Sequence, residues 1–230
     1  MQDLTLVHSS DLHIDGGRVT ESFHPLCRVL ETAKRLEADI LLLAGDIFDS
    51  NRTTPAVVDR VARLLDDARM PIVLLPGNHD CLGAGSVYEH QALSDVANVH
   101  VLGTDCGESV IFPVFQLEIW GRAHSDYADM FPLARLPCAG ATRRVVMAHG
   151  HWLRTESDPH RGWLFSSEDI AATGADYVAL GHWPQPCAAG DGRVPAFYSG
   201  SPDLAQTVNL VKLTGSAPAS ARRVPLWPVD

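Results

Sequence analysis

Acidic, amide and imidazole side chains recur along this sequence in short groups that each follow an apolar run. The groups are Asp11-Leu12-His13, Gly45-Asp46-Ile47-Phe48-Asp49, Gly77-Asn78-His79-Asp80, His149-Gly150-His151 and Gly181-His182. Because their donors are oxygens and imidazole nitrogens without thiolates, they suit divalent Mn, Fe, Zn or Ni better than a cysteine-based structural zinc site. Asp46 has two carboxylate oxygens and could bridge two cations. Two cations about 3.5–4 Å apart can lower the pKa of a shared water and neutralise a phosphate during in-line displacement.

The elements that carry these groups are predicted to be strands of a parallel sheet. Short apolar runs at residues 4–9, 39–44 and 72–75 alternate with helical patterns at 23–33 and 57–65, and Thr54-Pro55 is typical of a helix start. This alternation predicts βαβ units, in which ligands bind beyond the carboxyl ends of the strands. Two later strands, at 145–148 and 177–180, end directly before His149 and Gly181-His182. Five strand ends therefore converge on one edge with possible metal ligands.

The remaining pattern predicts more strands than one sheet would hold. We expect strands near residues 99–102, 109–112, 115–120, 196–199, 207–213 and 224–227, a helix near 166–172 and an exposed loop at 214–221. The sequence has no internal repeat and no linker, so we expect one α/β domain over residues 1–230 built from two sheets.

Composition limits the classes of partner and location. The 230 residues are 46% apolar and 20% charged, which is typical of a folded globule. The formal net charge is −10, and the basic doublets Arg143-Arg144 and Arg222-Arg223 are interpreted as solvated edges of strands or loops. Non-specific binding of nucleic acid is therefore not expected. No apolar run approaches the roughly 20 residues of a membrane helix. The N-terminus lacks the pattern of a signal peptide and five widely spaced cysteines suit reduced thiols, so we expect a cytoplasmic protein.

The five groups together resemble the successive motifs of the calcineurin-like metallophosphoesterase superfamily, and they span residues 11–182. Within it, Ser9-Ser10-Asp11-Leu12-His13, the group around Asp46 and Tyr198-Ser199-Gly200-Ser201-Pro202 are most similar to the DNA-repair exonuclease branch, the double-strand-break-repair nucleases. The resemblance implies a four-layer αββα sandwich of two mixed β-sheets.

The resemblance also implies a role for each matching residue. Asp11 and His13 would hold a first metal, Asp46 would bridge both metals, and the second metal would be held by Asn78, His149 and His182. His79 would face the phosphate, stabilising the transition state or protonating the leaving oxygen, and Asp80 would orient its imidazole. The cofactors implied are two divalent ions, with Mn the first choice and Fe, Zn or Ni the alternatives.

The sequence departs from the family pattern at two positions. The last motif usually reads Gly-His-x-His, whereas here Gly181-His182-Trp183 is followed by Pro184, which has no ligating side chain. We therefore expect weaker metal binding at the first site, with water, Gln185 or His151 in the vacant position. The second departure is Asp49, where the repair nucleases often have a histidine used in exonuclease action. Asp49 is interpreted as a carboxylate that orients a metal ligand.

For the other histidines and the aromatic residues, a structural role is considered before a functional one. His8, inside the first strand, is expected to be a hydrogen-bonded core residue, and His24, His90, His100 and His160 are given no role. His151 and His124 each follow a strand end and keep a functional interpretation as the less favoured one. Trp152, Trp163 and Trp183 lie beside the histidine groups and could stack a base, although packing is the more frequent role of tryptophan.

These observations predict a metal-dependent phosphoesterase that hydrolyses a phosphodiester or a phosphomonoester by attack of a metal-bound hydroxide. One alternative is a DNA-repair exo- or endonuclease, which the net charge and Asp49 disfavour. Another is a degenerate, non-catalytic binding subunit that kept the fold. The partner is then a small phosphoester or a nucleic acid, with no membrane, and the sequence does not fix the oligomeric state.

Overall fold

A computed structural model describes residues 2–17, 23–104, 108–134, 136–154, 162–215 and 217–228. The strands are β1 Leu4–Ser9, β2 Ile40–Ala44, β3 Ile72–Leu75, β4 Val99–Val101, β5 Ser109–Phe112, β6 Leu117–Gly121, β7 Arg143–His149, β8 His151–Trp152, β9 Leu164–Phe165, β10 Tyr177–Gly181, β11 Cys187–Ala189, β12 Ala196–Tyr198, β13 Thr207–Leu213 and β14 Ser220–Pro225. The α-helices are α1 His24–Arg35, α2 Pro55–Asp67, α3 Gln91–Ser94, α4 Ser167–Ala172 and α5 Pro202–Ala205.

The strands form two six-stranded mixed sheets. The first has the order β14-β13-β1-β2-β3-β4, in which β1 to β4 are parallel and β13 and β14 are antiparallel additions at one side. The second has the order β11-β12-β10-β7-β6-β5, with a parallel centre and an antiparallel strand at each edge. Strands β8 and β9 pair separately. The βαβ units predicted from the sequence are therefore confirmed in the first sheet.

The two sheets pack face to face because side chains alternate along every central strand. Leu6, Leu42 and Val73 of the first sheet meet Ile119 and Val145 of the second in one buried cluster. The outward residues of the first sheet pack under α1 and α2 in another cluster. The outer face of the second sheet packs against α4 and its neighbouring loops. These layers confirm the predicted αββα architecture, with the thinner helical layer over the second sheet.

Helix boundaries follow the local sequence. Helix α2 begins at Pro55 after Thr54, as predicted, although the Thr54 side chain makes no capping hydrogen bond. Helix α4 begins with a capping box, in which Ser166 and Asp169 each bond the other's backbone amide. Such a box satisfies two amide groups that a helix start otherwise leaves without partners.

The structure differs from the predictions mainly at short elements. The last strand runs over Ser220–Pro225 instead of 224–227, because it pairs with β13 from Lys212 to Thr207. Residues 113–115 form a 3₁₀ turn, so β6 begins at Leu117 and not at 115. The two- and three-residue strands β8, β9 and β11 were not predicted, since they are too short to show a period.

The cysteines and the helices bear on the predictions made for the chain as a whole. Cys27, Cys81, Cys138 and Cys187 are free thiols, and Cys106 lies outside the described residues. No helix in the part of the chain that the structure describes combines the length and apolar character needed to cross a membrane. The cytoplasmic location and the single domain over residues 1–230 stay predictions.

Candidate metal centre

The loops that leave β1 and β2 are joined beyond the ends of the strands. The amide of Asp11 donates to the carbonyl oxygen of Gly45, and the amide of His13 donates to that of Asp46, each at 3.0 Å. Across the sandwich, the amide of His182 lies 3.1 Å from both carboxylate oxygens of Asp11. The carboxyl ends of strands from both sheets therefore meet at one edge, as the sequence predicted.

Four of the predicted ligands have backbones in the left-handed region. The φ angles are 55° for Asp11, 47° for His13, 53° for Asp46 and 94° for His182. Such conformations cost roughly 1–3 kcal/mol each for residues with a Cβ atom and persist only where the surroundings enforce them. The hydrogen bonds between the loops provide that enforcement, so part of the folding free energy is used to aim these side chains.

Glycines leave the space that the site needs. A Cβ atom on Gly45 would lie 2.0 Å from Nδ1 of His149, one on Gly77 would lie 2.2 Å from Oδ1 of Asp46, and one on Gly181 would lie 1.8 Å from the carbonyl oxygen of Ala44. Each is far inside van der Waals contact, so only glycine fits at these three positions.

An inner group of donors surrounds Asp46. Its Oδ2 lies 3.1 Å from Nε2 of His149, and Asp11, Asp46 and His149 offer ligand atoms that all lie within 4.8 Å of one another. Oδ1 of Asn78 lies 3.1 Å from Nε2 of His149 and 3.2 Å from Nδ1 of His182. Nδ1 of His149 lies 2.9 Å from the carbonyl oxygen of Ala44, so it donates there and Nε2 points into the group.

An outer group lies beside it at the surface. His13 is placed between two carboxylates, with Nε2 3.9 Å from Oδ2 of Asp46 and Nδ1 3.3 Å from Oδ1 of Asp49. The ring of His79 meets the ring of His13 edge to face at 4.6 Å. Asp49 also contacts His79. The backbone carbonyl oxygen of Asp49 lies 2.9 Å from Nδ1 of His79, and Oδ1 of Asp49 lies 3.8 Å from the same nitrogen.

Asp80 does not orient His79, so that prediction is wrong. The Asp80 carboxylate is fully buried and accepts hydrogen bonds from the amides of Ile47, Phe48 and Gly77 and from the hydroxyl of Tyr88. It therefore fixes the loops after β2 and β3 to each other. The contact predicted for Asp80 is made by Asp49.

Neither proposed substitute for the missing ligand enters the groups of donors. Pro184 uses its carbonyl oxygen to accept from the amide of Ser201. Gln185 is exposed, and the ring of His151 packs against that of Trp183 at 5.6 Å. Among the described residues, the carboxylate nearest His13 on its outer side is that of Asp49. Among the residues that the structure describes, the two groups of candidate ligand atoms thus contain no further histidine in place of the absent one.

Several supporting residues were missed or undervalued by the sequence analysis. The hydroxyl of Ser10 donates to Oδ2 of Asp11 and lies 2.8 Å from the hydroxyl of Ser199, which anchors the carboxylate from behind. Ser199 was part of a family motif, which was its only signal.

His124 is buried, and its Nε2 donates to the carbonyl oxygen of His149 at 2.8 Å. Tyr88, which binds Asp80, had no signal in the sequence. His8 is a core residue with Nδ1 3.0 Å from the hydroxyl of Tyr177, as expected.

Burial and neighbouring charges set the protonation states. Burial would lower the pKa of His149, but the adjacent Asp46 carboxylate raises it to about 9. Burial likewise acts to raise the pKa of Asp46, yet the charge of His149 overrides it and holds that pKa well below its usual range. Burial, assisted by the charge of His149, lowers the pKa of His182 to about 3. Burial also raises the pKa of Asp11. Without a cation, one proton on His149 thus balances the charge of Asp46.

These residues fit a divalent cation. Asp11 and Asp46 are 3% and 2% exposed, and two adjacent buried carboxylates are costly unless positive charge lies beside them. The surrounding donors are carboxylate and amide oxygens and imidazole nitrogens, which suit Mn, Fe and Zn. The protonated His149 supplies part of the positive charge that a cation would replace.

Cation binding at the inner group should depend on pH. Because His149 holds a proton up to about pH 9, a cation that binds Nε2 must displace that proton. We expect the affinity for Mn²⁺ to rise with pH below that value, approaching about tenfold per unit where one proton leaves per ion. Titration calorimetry in buffers of different ionisation enthalpy would measure the Mn²⁺ affinity at each pH and the number of protons released per bound ion. His149→Asn should flatten the dependence and His100→Asn should not, while an affinity independent of pH would contradict the assignment.

The space at Gly45 can be tested with a matched glycine. Gly45 and Gly192 have φ angles of 91° and 88°, but a Cβ atom on Gly192 would meet nothing within 4 Å. Gly192→Ala should lower the free energy of unfolding by about 1–2 kcal/mol through the left-handed backbone alone. Gly45→Ala should lower it further and weaken Mn²⁺ binding, because the methyl group displaces His149. Equal losses of stability in the two variants, with cation affinity unchanged, would show that the clash has no consequence.

Comparisons with known proteins identify relatives of this chain. The chain is 28% identical over 209 residues to the uncharacterized metallophosphoesterase YhaO of Bacillus subtilis, covering 79% of this chain and 49% of that protein. It is 24% identical to the DNA double-strand break repair protein Mre11 of Aeropyrum pernix, covering 93% of this chain and 59% of that protein. The chain thus spans about half the length of these relatives. The name of the Aeropyrum pernix relative is consistent with the DNA-repair exonuclease branch.

A solved structure gives the same result for the fold. The crystal structure of TT1561 of Thermus thermophilus superposes with a TM-score of 0.65 at 12% identity, covering 96% of this chain and 99% of that one. The family model described as calcineurin-like phosphoesterase matches residues 4–186, which include every ligand predicted from the sequence. The chain belongs to the calcineurin-like metallophosphoesterase family.

Proposed function

We propose that this domain hydrolyses a phosphodiester or a phosphomonoester with two divalent cations, of which Mn is the first candidate. The observation that carries the proposal is the position of Asp46, whose carboxylate lies between the imidazoles of His149 at 3.1 Å and His13 at 3.9 Å. A carboxylate flanked in this way can bridge two ions. Bound divalent ions polarise phosphoryl oxygens and acidify water, which is the chemistry that a phosphoester hydrolase needs.

The ligands divide into two sets around Asp46. We assign Asp11 and His13 to the first ion, and Asn78, His149 and His182 to the second. The second assignment is supported by Asn78 Oδ1, which lies within 3.2 Å of a nitrogen of each histidine. The first set has fewer protein donors because Pro184 replaces a histidine. The first ion should therefore be bound more weakly than the second.

His79 is assigned to the phosphate. The carbonyl oxygen of Asp49 accepts from Nδ1 of its ring, which leaves Nε2 for the substrate. The side chain is 43% exposed, so a ligand can reach it. The Asp49 carboxylate lies 3.8 Å from the same nitrogen, Nδ1. Nε2 would then face the leaving oxygen and give it a proton, and Asp49 is the positioning residue that we assign in place of Asp80.

Two other functions remain as alternatives. The similarity to a DNA double-strand break repair protein favours a function on nucleic acid, whereas the net charge of −10 and the aspartate at position 49 disfavour a DNA-repair nuclease. A non-catalytic binding subunit is favoured by Pro184. The other predicted ligands and His79 keep donor side chains, which favours an active enzyme over that subunit.

Hydrolysis assays separate the three functions. With Mn²⁺ we expect turnover of bis-p-nitrophenyl phosphate or p-nitrophenyl phosphate. Cleavage of single-stranded DNA would favour the nuclease. No turnover of any of the three substrates with Mn²⁺, Fe²⁺, Zn²⁺ or Ni²⁺ would favour the binding subunit and contradict our proposal.

Two substitutions test the roles within the same assays. His79→Ala should reduce kcat by at least about 100-fold, the usual contribution of general acid catalysis, while two ions stay bound. Asp46→Asn should lose both turnover and bound metal. His90→Ala, which changes a half-buried histidine paired with Asp59, is the matched control. Full turnover by His79→Ala would overturn the role assigned to His79.

A further inference from the structure

Two large aromatic side chains are exposed on the loop that follows β6. Tyr127 is 67% exposed and Phe131 is 70% exposed. Folded proteins usually keep such rings at least partly covered, and neighbouring exposed rings are typical of binding surfaces. We call residues 126–131 the aromatic loop.

The aromatic loop is attached to Trp163. The carbonyl oxygen of Ala128 accepts from the indole nitrogen at 3.0 Å, and the carboxylate of Asp129 accepts from the backbone amide of Trp163 at 2.5 Å. The carbonyl oxygen of Trp163 in turn accepts from the amide of His151 at 2.9 Å. Trp163 is half-buried and held in a left-handed backbone conformation, with φ of 57°. Its ring is therefore fixed in place before any ligand arrives.

Trp163 places this surface beside the metal centre. The centre of its ring lies 5.6 Å from that of His182 and 5.3 Å from that of His124, in both cases edge to face. His182 is a proposed ligand of the second ion. An aromatic group attached to a phosphate at the ions would thus lie within reach of the aromatic surface.

The charges on the loop indicate which part of a ligand would contact it. Asp126 and Asp129 are both used to hold backbone amides, at Ala128 and Trp163. Their carboxylates repel a phosphate, and no cationic side chain occurs among residues 126–131. Contact through an uncharged, flat ring is favoured there, and the faces of nucleobases stack on aromatic side chains without sequence preference.

We propose that Tyr127, Phe131 and Trp163 form a subsite that stacks an unpaired nucleobase of the substrate. The proposal rests on the proposed function, since it places the attached phosphate at the metal centre. It narrows the substrate class to nucleotides or single-stranded nucleic acid. Because stacking supplies the affinity, the acidic chain needs no basic groove to hold such a substrate.

Binding without turnover tests the subsite separately from catalysis. The probes are a fluorescein-labelled tetrathymidylate and the same tetramer with abasic sugars, each titrated by anisotropy into the full chain in EDTA. We expect the thymidylate to bind at least about tenfold tighter, which corresponds to stacking of one base. Equal or undetectable binding of both probes would overturn the subsite, whereas loss of Mn²⁺-dependent hydrolysis alone would overturn only the proposed function.

Exposed residues elsewhere supply matched controls. Tyr127→Ser and Phe131→Ser should each remove most of the preference for the base. Val114→Ser and Leu204→Ser, which change side chains 79% and 65% exposed, should leave it unchanged. If the preference survived the double Tyr127→Ser and Phe131→Ser variant, the loop would not be the subsite. A second result would lead to the same conclusion. In it, the full chain forms a concentration-dependent dimer that these two substitutions abolish, and the chain shows no preference between the two probes.

Discussion

Asp11 and Asp46 are two carboxylates buried next to each other where the strands of both sheets end. Buried carboxylates without positive charge or hydrogen-bond donors beside them would destabilise the fold there. The surrounding residues supply both. The proton on His149 balances Asp46, the amide of His182 and the hydroxyl of Ser10 bond Asp11, and the amide of His79 bonds Asp46. This balance explains why His149 is protonated and why the same residues fit a divalent cation.

The rest of the architecture serves the placement of those carboxylates. The two sheets pack through apolar residues that alternate with outward ones, which brings the ends of β2 and β7 within hydrogen-bond distance between Ala44 and His149. Asp80, with Tyr88, fixes the loop after β3 to the loop after β2. Left-handed backbones at Asp11 and Asp46 then point the side chains inward. Folding free energy from the core is thereby used to hold strained loops in a shape that is ready for ligands.

Much of this could be predicted from the sequence because its signals are local. The runs before Asp11, Asp46 and Asn78 are apolar and short, so the strands and their order along the chain follow from them. Contacts that depend on tertiary packing could not be predicted. Asp80 is adjacent to His79 in sequence and Asp49 lies 30 residues before it, and only the folded loops bring Asp49 to the ring. Tyr88 reaches Asp80 from a 3₁₀ turn that has no motif. The short strands β8 and β9 pair with each other and β11 pairs with the edge of β12, and no period in the sequence reveals these pairings.

We propose that Asp46 would lie between two cations that are held unequally. Anomalous diffraction from crystals of the full chain equilibrated with a modest concentration of Mn²⁺ tests this arrangement. We expect a strong peak among Asp46, Asn78, His149 and His182 and a weaker one between Asp46 and His13, on the side of Asp11. Two equally strong peaks would contradict the loss of a ligand at Pro184, and the absence of any peak beside Asp46 would contradict the metal centre itself.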